Sequence, residues 1–268
     1  MLDFVEVKNA KANAKIALNG GHIFHYERVG EKPLLYLSEI SNFEDGKSIR
    51  GGIPICWPWF GKPEDKTLQH GFARTSIWTH FKTTNLDENT TEVILKLNHS
   101  QESLKLFPYK FELALHVEVG EHLKVELKTT NLDIKAFEIT QALHTYFDIS
   151  HIDDVEISGL ENKPYLDALT YKNEVQRGVI TFSKEVDRVY QKVDKPIILK
   201  DKNRTLHVES LGSSSCVVWN PWIDKCSRMS AMKQDAYKEF VCIESANAFD
   251  DVRLILPNEL HILKALIY

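Results

Sequence analysis

Apolar and polar residues alternate with period two along most of this chain. In Phe111–Val119, the residues Phe111, Leu113, Leu115, Val117 and Val119 alternate with Glu112, Ala114, His116 and Glu118. Gly120-Glu121 then turns the chain, and Leu123, Val125 and Leu127 alternate with Lys124, Glu126 and Lys128. Side chains on a strand point to opposite faces in turn, so this pattern predicts an antiparallel hairpin with one wet face. Thr91–Leu97 repeats it through Val93, Leu95 and Leu97. Similar runs occur at Lys15–Tyr26, Ile77–Thr83, Ile152–Ser158, Thr205–Val208, Cys216–Trp219 and His261–Ile267. Helical periodicity is scarce; Gln101–Phe107 and Ser230–Glu239 are each long enough for a short helix or turn. The fold class expected is all-β, a large antiparallel β-sandwich with a few short helices. No Pro/Gly/Ser-rich linker, repeat or low-complexity segment divides the 268 residues. Sandwiches of this length often form one unit, so 1–268 reads as a single domain.

Composition narrows the partners. With 33 basic against 38 acidic side chains, the net charge is −5. A nucleic acid or an anionic membrane surface calls for a basic face, so neither is expected. A mildly acidic protein that binds an anion must concentrate positive charge locally, and Gly46–Pro63 carries Lys47, Arg50 and Lys62 with no acid. Cys56, Cys216, Cys226 and Cys242 show no CxxC spacing, which suits reduced thiols in the cytoplasm. The opening MLDFVEVKNAKANAKI lacks a basic stretch followed by an apolar run, so no signal peptide is read there, and no segment has the length of a membrane-spanning helix.

The densest local chemistry lies in Ser48–Gly61, SIRGGIPICWPWFG. Gly51 and Gly52 permit close backbone approach. Arg50 offers a planar fork of donors suited to phosphate or carboxylate. Pro54 and Pro58 stiffen the segment, and Trp57, Trp59 and Phe60 add flat apolar surface. Two structures fit this composition: a rigid pocket wall for a small anion, or a tight turn over a buried aromatic cluster. Other residues are equally two-sided. Glu244 follows the apolar run Phe240–Ile243 and is either a strand-end acid in water or a base strengthened by burial. His144, inside Ala142–Phe147, is either a hydrogen-bonded core residue or a proton donor near neutrality. Val186-Asp187-Arg188 reads locally as a charged surface pair, and Arg74 as a surface arginine at a strand entry. No G-x-G-x-x-G, Walker or nucleophile-elbow sequence is present. His22 and His25, three apart on a strand, point to opposite faces and make no metal pair.

Four blocks in order, RGGIP…WFG, Gln69-His70-Gly71-Phe72-Ala73-Arg74, Leu143-His144-Thr145-Tyr146-Phe147 and Phe240–Asn247, with Val186–Tyr190 between the last two, resemble the aldose 1-epimerase (mutarotase) superfamily. The likeness is greatest to its hexose-6-phosphate mutarotase branch and runs from about residue 15 onward. The resemblance implies a galactose-mutarotase-like supersandwich with a sugar site on one face of a curved sheet. It also implies interconversion of the α and β anomers of a hexose 6-phosphate, with no cofactor or metal, by a chain expected to be monomeric. It assigns the base to Glu244 and the acid to His144. Gln69, His70 and Asp187 would contact sugar hydroxyls or support the acid, and Arg50 and Arg74 would grip phosphate. Trp57, Trp59, Trp219 and Trp222 are candidates to stack on the sugar, with no more than two expected to do so. The rival readings are a mutarotase for unphosphorylated aldoses and a non-catalytic carbohydrate-binding protein. A glycoside hydrolase would need two flanking carboxylates, and only Glu244 is supported.

Overall fold

The computed structural model describes residues 2–268. Two eight-stranded antiparallel sheets dominate it. The first runs in the order Lys172–Val175, Pro164–Asp167, Val186–Gln191, Ser215–Asn220, Phe240–Asn247, Gln141–Leu143 and Ile55–Cys56, with Tyr146–Asp148 also pairing against Phe240–Asn247. The second runs Glu156–Ser158, Ile197–Lys200, Thr205–Leu211, Leu260–Ile267, Leu123–Asn131, Phe111–Val119, Thr91–Asn98 and Thr79–Asn85. A three-stranded sheet, Phe4–Lys8, Ala12–Ala17 and His22–Arg28, and the pair Phe137–Ile139 with Arg253–Ile255 complete the strands.

The period-two segments behave as their pattern requires. Phe111–Val119 pairs with Leu123–Asn131 along its whole length, from Phe111 opposite Asn131 to Val119 opposite Leu123. Leu113, Leu115, Val117, Val125 and Leu127 are buried, and together with Val218, Val241 and Ile243 of the first sheet they belong to one core reaching from Val7 to Ile267. The opposite face of the first sheet carries a smaller apolar cluster: Val189, Val217, Trp219, Phe240, Cys242 and Tyr146, with Tyr36, Met232 and Ala236 among the residues packed against them. Glu244 shares the alternation of Cys242 and Ala246, so it points to this second face, away from the main core.

Some expected elements differ. Lys15–Tyr26 is not one strand but parts of two, turning through Asn19-Gly20-Gly21. Ile152–Ser158 begins with a 3-10 turn, Ile152–Asp154, and only Glu156–Ser158 is extended. Within Ser230–Glu239 the one helical piece is the 3-10 turn Ala236–Lys238. The helix Trp222–Arg228 has no counterpart in the expectations, because seven residues hold too few turns to show an apolar period. Gln101–Leu106 is helical as expected, its first turn closed by a reciprocal Ser100–Ser103 cap. Among the described residues, no helix is long and apolar enough to cross a membrane.

Candidate active site

Backbone hydrogen bonds knit the sequence blocks together. The His144 N–H donates to Pro54 O at 3.0 Å, and the Tyr146 N–H to Gly52 O at 2.9 Å. Phe72 N–H donates to Trp57 O at 3.0 Å, and His70 N–H to Gly61 O at 2.6 Å. Gly71, with φ +70°, lies so close to Trp57 that a Cβ would fall 1.9 Å from its carbonyl oxygen. No other residue fits there. His22, fully buried, holds Gly51 O at 2.8 Å through Nε2. Burial first, then the nearby Arg74 charge, pushes its pKa down to about 4, so Nε2–H is the donor. The Arg50-Gly51-Gly52 loop is thereby fixed from below.

Strand pairing then sets Glu244 and His144 face to face. Leu143 lies opposite Ser245, and Tyr146 opposite Cys242, leaving His144 and Thr145 beside Glu244 and Ile243. His144 Nε2 stands 3.3 Å from Glu244 Oε1. Glu244 is only 1% exposed and His144 8%. The strand does not end before Glu244, as the apolar run suggested; it continues to Asn247, which removes the strand-end reading. Glu244 Oε2 and His144 Nδ1 are buried without partners. The His144 ring stacks on Tyr146 at 4.9 Å and meets His70 and Trp219 edge-on at 5.9 and 5.8 Å.

Electrostatics shape the pair. Burial, and secondarily the charge of Asp187, raises the Glu244 pKa well above the ordinary carboxylate range, while Arg74 opposes this. Burial, then Arg74 and Arg50, pushes His144 down. A 3.3 Å contact favours an ion pair, yet neither partner has further hydrogen bonds to offset lost hydration. Both shifts therefore favour the neutral arrangement, and the two groups titrate as a coupled pair. Arg50 and Arg74, 24 positions apart, act on the same imidazole. Each keeps most of its fork free: Arg74 spends one donor on Gln69 O at 2.7 Å, and Arg50 donates Nε to Ser230 O at 3.3 Å.

Gly61 N–H donates to His70 Nδ1 at 3.1 Å, so the ring proton sits on Nε2 and donates to the Gln69 amide 3.1 Å away, whose oxygen rather than its NH2 group must be turned toward the ring. Burial holds this ring neutral. Asp187 lies directly opposite Trp219 on the neighbouring strand and shares the face that carries Glu244. It is half-buried rather than a free surface acid, and burial raises its pKa. All seven residues singled out in the sequence thus gather around one face of the first sheet. Among the tryptophans, Trp57 belongs to the main core and Trp59 donates to Leu68 O, whereas Trp219 borders His144. The sequence reading missed Tyr146 and Lys225 as neighbours of the site. Tyr146 lay inside a quoted block; nothing local marks Lys225. Among the described residues, no three His, Cys, Asp or Glu side chains are grouped to hold a metal ion.

The family model described as aldose 1-epimerase matches residues 3–263. The chain belongs to this family. A protein of Escherichia coli strain K12, provisionally named a glucose-6-phosphate 1-epimerase, is 33% identical over 99% of this chain and 90% of its own length. One from Cenchrus ciliaris with the same provisional name is 38% identical over 87% of this chain and 74% of its own. A Salmonella typhimurium crystal structure, provisionally called a mutarotase, superposes with a TM-score of 0.93 at 33% identity, covering 99% and 90% of the two chains. A galactose-mutarotase-related structure from Lactobacillus acidophilus, at 13% identity and TM-score 0.76, shares the fold. The all-β, galactose-mutarotase-like architecture expected from the sequence is therefore the one this family member adopts.

Proposed function

We propose that this aldose 1-epimerase family member interconverts the α and β anomers of a hexose 6-phosphate, with glucose 6-phosphate the expected substrate. The observation that carries the reading is the buried Glu244–His144 contact with two guanidiniums acting on the same histidine. Glu244 takes the proton of the C1 hydroxyl. The C1–O5 bond breaks as C1=O forms, and His144 delivers a proton to O5. After rotation about C1–C2, the ring closes on the other face and both protons return. Each positioned transfer contributes roughly 10²–10⁴-fold. The ionised pair required for the first step is a tautomer of the neutral pair, so no net proton uptake is needed. A phosphate dianion between Arg50 and Arg74 would cancel the positive field that depresses His144 and help it take the proton. Gln69, His70 and Asp187 supply hydrogen bonds to the sugar. The single core from Val7 to Ile267 supports treating 1–268 as one domain, and four free, buried cysteines fit a monomer working in the reducing cytoplasm.

The rival substrate, an unphosphorylated aldose, is separated by the arginines. Phosphate contacts remote from C1 are made alike in ground and transition states, so losing one raises KM more than it lowers kcat. At about 1.5–3 kcal/mol per charge-assisted hydrogen bond, Arg50→Ala and Arg74→Ala should each raise KM for glucose 6-phosphate roughly 10–100-fold. Activity on free glucose should be low and little changed. Equal effects on both sugars would assign the arginines to structure and favour the unphosphorylated substrate.

A further inference from the structure

Lys225 stands where no sequence block points, on the short helix Trp222–Arg228 that follows the strand Ser215–Asn220. Its Nζ lies 2.9 Å from Glu185 Oε1 and 3.7 Å from Asp187 Oδ2. The same ammonium sits 5.7 Å from the centre of the Trp219 ring, the residue directly opposite Asp187. Its charge also reaches His70, on the far side of His144. The helix therefore aims a cation across the face that carries Glu244.

We propose that Lys225 is a positioning residue for Asp187: it holds that half-buried carboxylate ionised and aimed at the sugar, and it is not itself a phosphate ligand. The inference rests on the functional reading above. Three observations carry it. Asp187 needs a counter-ion, because it is largely withdrawn from water and faces like charges from Glu185 ahead of it on the chain and from Asp167 on the adjacent strand. Lys225 is the largest influence opposing that burial. And the helix Trp222–Arg228 that carries the lysine places its ammonium beside Glu185 and the Trp219 ring, both of which lie on the Asp187 side of the site. A protonated Asp187 could not serve as a full acceptor for a sugar hydroxyl, so loss of the lysine should act through the aspartate.

A double-mutant cycle tests this. Parent, Lys225→Met, Asp187→Asn and the double variant are compared for anomerisation of glucose 6-phosphate by NMR saturation transfer, with a thermal melt of each. Lys225→Met should raise KM about tenfold with kcat changed less than about threefold, since hydroxyl binding is shared by ground and transition states. In the Asp187→Asn background the same change should do almost nothing. Lys225→Arg should recover most of the parental KM. Glu185→Gln should leave the kinetics near parental and covers the case in which Lys225→Met does not fold, because the ammonium then has Asp187 alone as its partner. Additive losses in the cycle would make Lys225 an independent ligand and overturn the proposal. So would parental KM in a folded Lys225→Met protein, or a KM rise of tenfold in Glu185→Gln. A parent protein that fails to anomerise glucose 6-phosphate would instead overturn the functional reading.

Discussion

Replacing Glu244 by glutamine separates chemistry from folding most cleanly. The change is nearly isosteric, so it opens no cavity in a site where Glu244 is 1% exposed. It removes the one carboxylate facing His144 at 3.3 Å and leaves nothing to accept the C1 hydroxyl proton. Loss of one acid–base partner costs about 10²–10⁴-fold, or about 2.7–5.4 kcal/mol of barrier at 1.36 kcal/mol per tenfold. Stability should move the other way. Glu244 has its pKa raised by burial, so between the unfolded value of 4.5 and its higher folded value the native state keeps a proton that the unfolded chain releases. Stability of the parent therefore falls as pH rises through that window. Glutamine carries no such penalty, so the variant should melt at or above the parent's temperature at pH 7, with the margin shrinking toward pH 4.5. Exchange between the two C1 proton signals of glucose 6-phosphate measures the rate, after subtraction of the spontaneous reaction. A folded Glu244→Gln protein anomerising within threefold of the parent would refute the base assignment. A large drop in melting temperature alongside a lost rate would show that the carboxylate is holding the fold.

Two further outcomes follow from the geometry. His22 has its pKa lowered to about 4, so the unfolded chain takes up a proton near 6.5 that the native state refuses; stability should fall as pH drops through this range, by about 2 kcal/mol at pH 5 from this residue alone. Because Glu244 and Asp148 titrate in the opposite sense, urea midpoints of the parent and of His22→Gln are compared at pH 7 and pH 5, and an equal pH shift in the two proteins would refute the assignment. Gly71→Ala places a Cβ 1.9 Å from Trp57 O at a φ of +70°, so it should destabilise the protein by at least about 2 kcal/mol and displace His70; parental stability and activity would show that the loop relaxes freely.

How much of this was legible in the sequence depends on the range of the interactions concerned. Alternation along Phe111–Val119 and Leu123–Lys128 is a local consequence of the pleat, so the hairpin could be read and its pairing was as expected. Short elements escaped because too few residues carry the signal: Ile152–Asp154 turns where a strand was expected, and Trp222–Arg228 coils unannounced. The residue types of the site were also legible. Arg50 stood out by its local chemistry; His144 and Glu244 were two-sided, and Gln69, His70, Arg74 and Asp187 were marked only by likeness to a family. Their meeting was not legible, since it depends on pairings between strands far apart in sequence, such as Leu143 with Ser245 and Val217 with Glu244. Only the tertiary structure decides that Glu244 lies mid-strand and buried, that its carboxyl meets His144, and that Asp187 has Lys225 beside it. Those are facts about dielectric and distance. A sequence names the groups that can carry a proton or a charge; the packing around them sets which form each one holds.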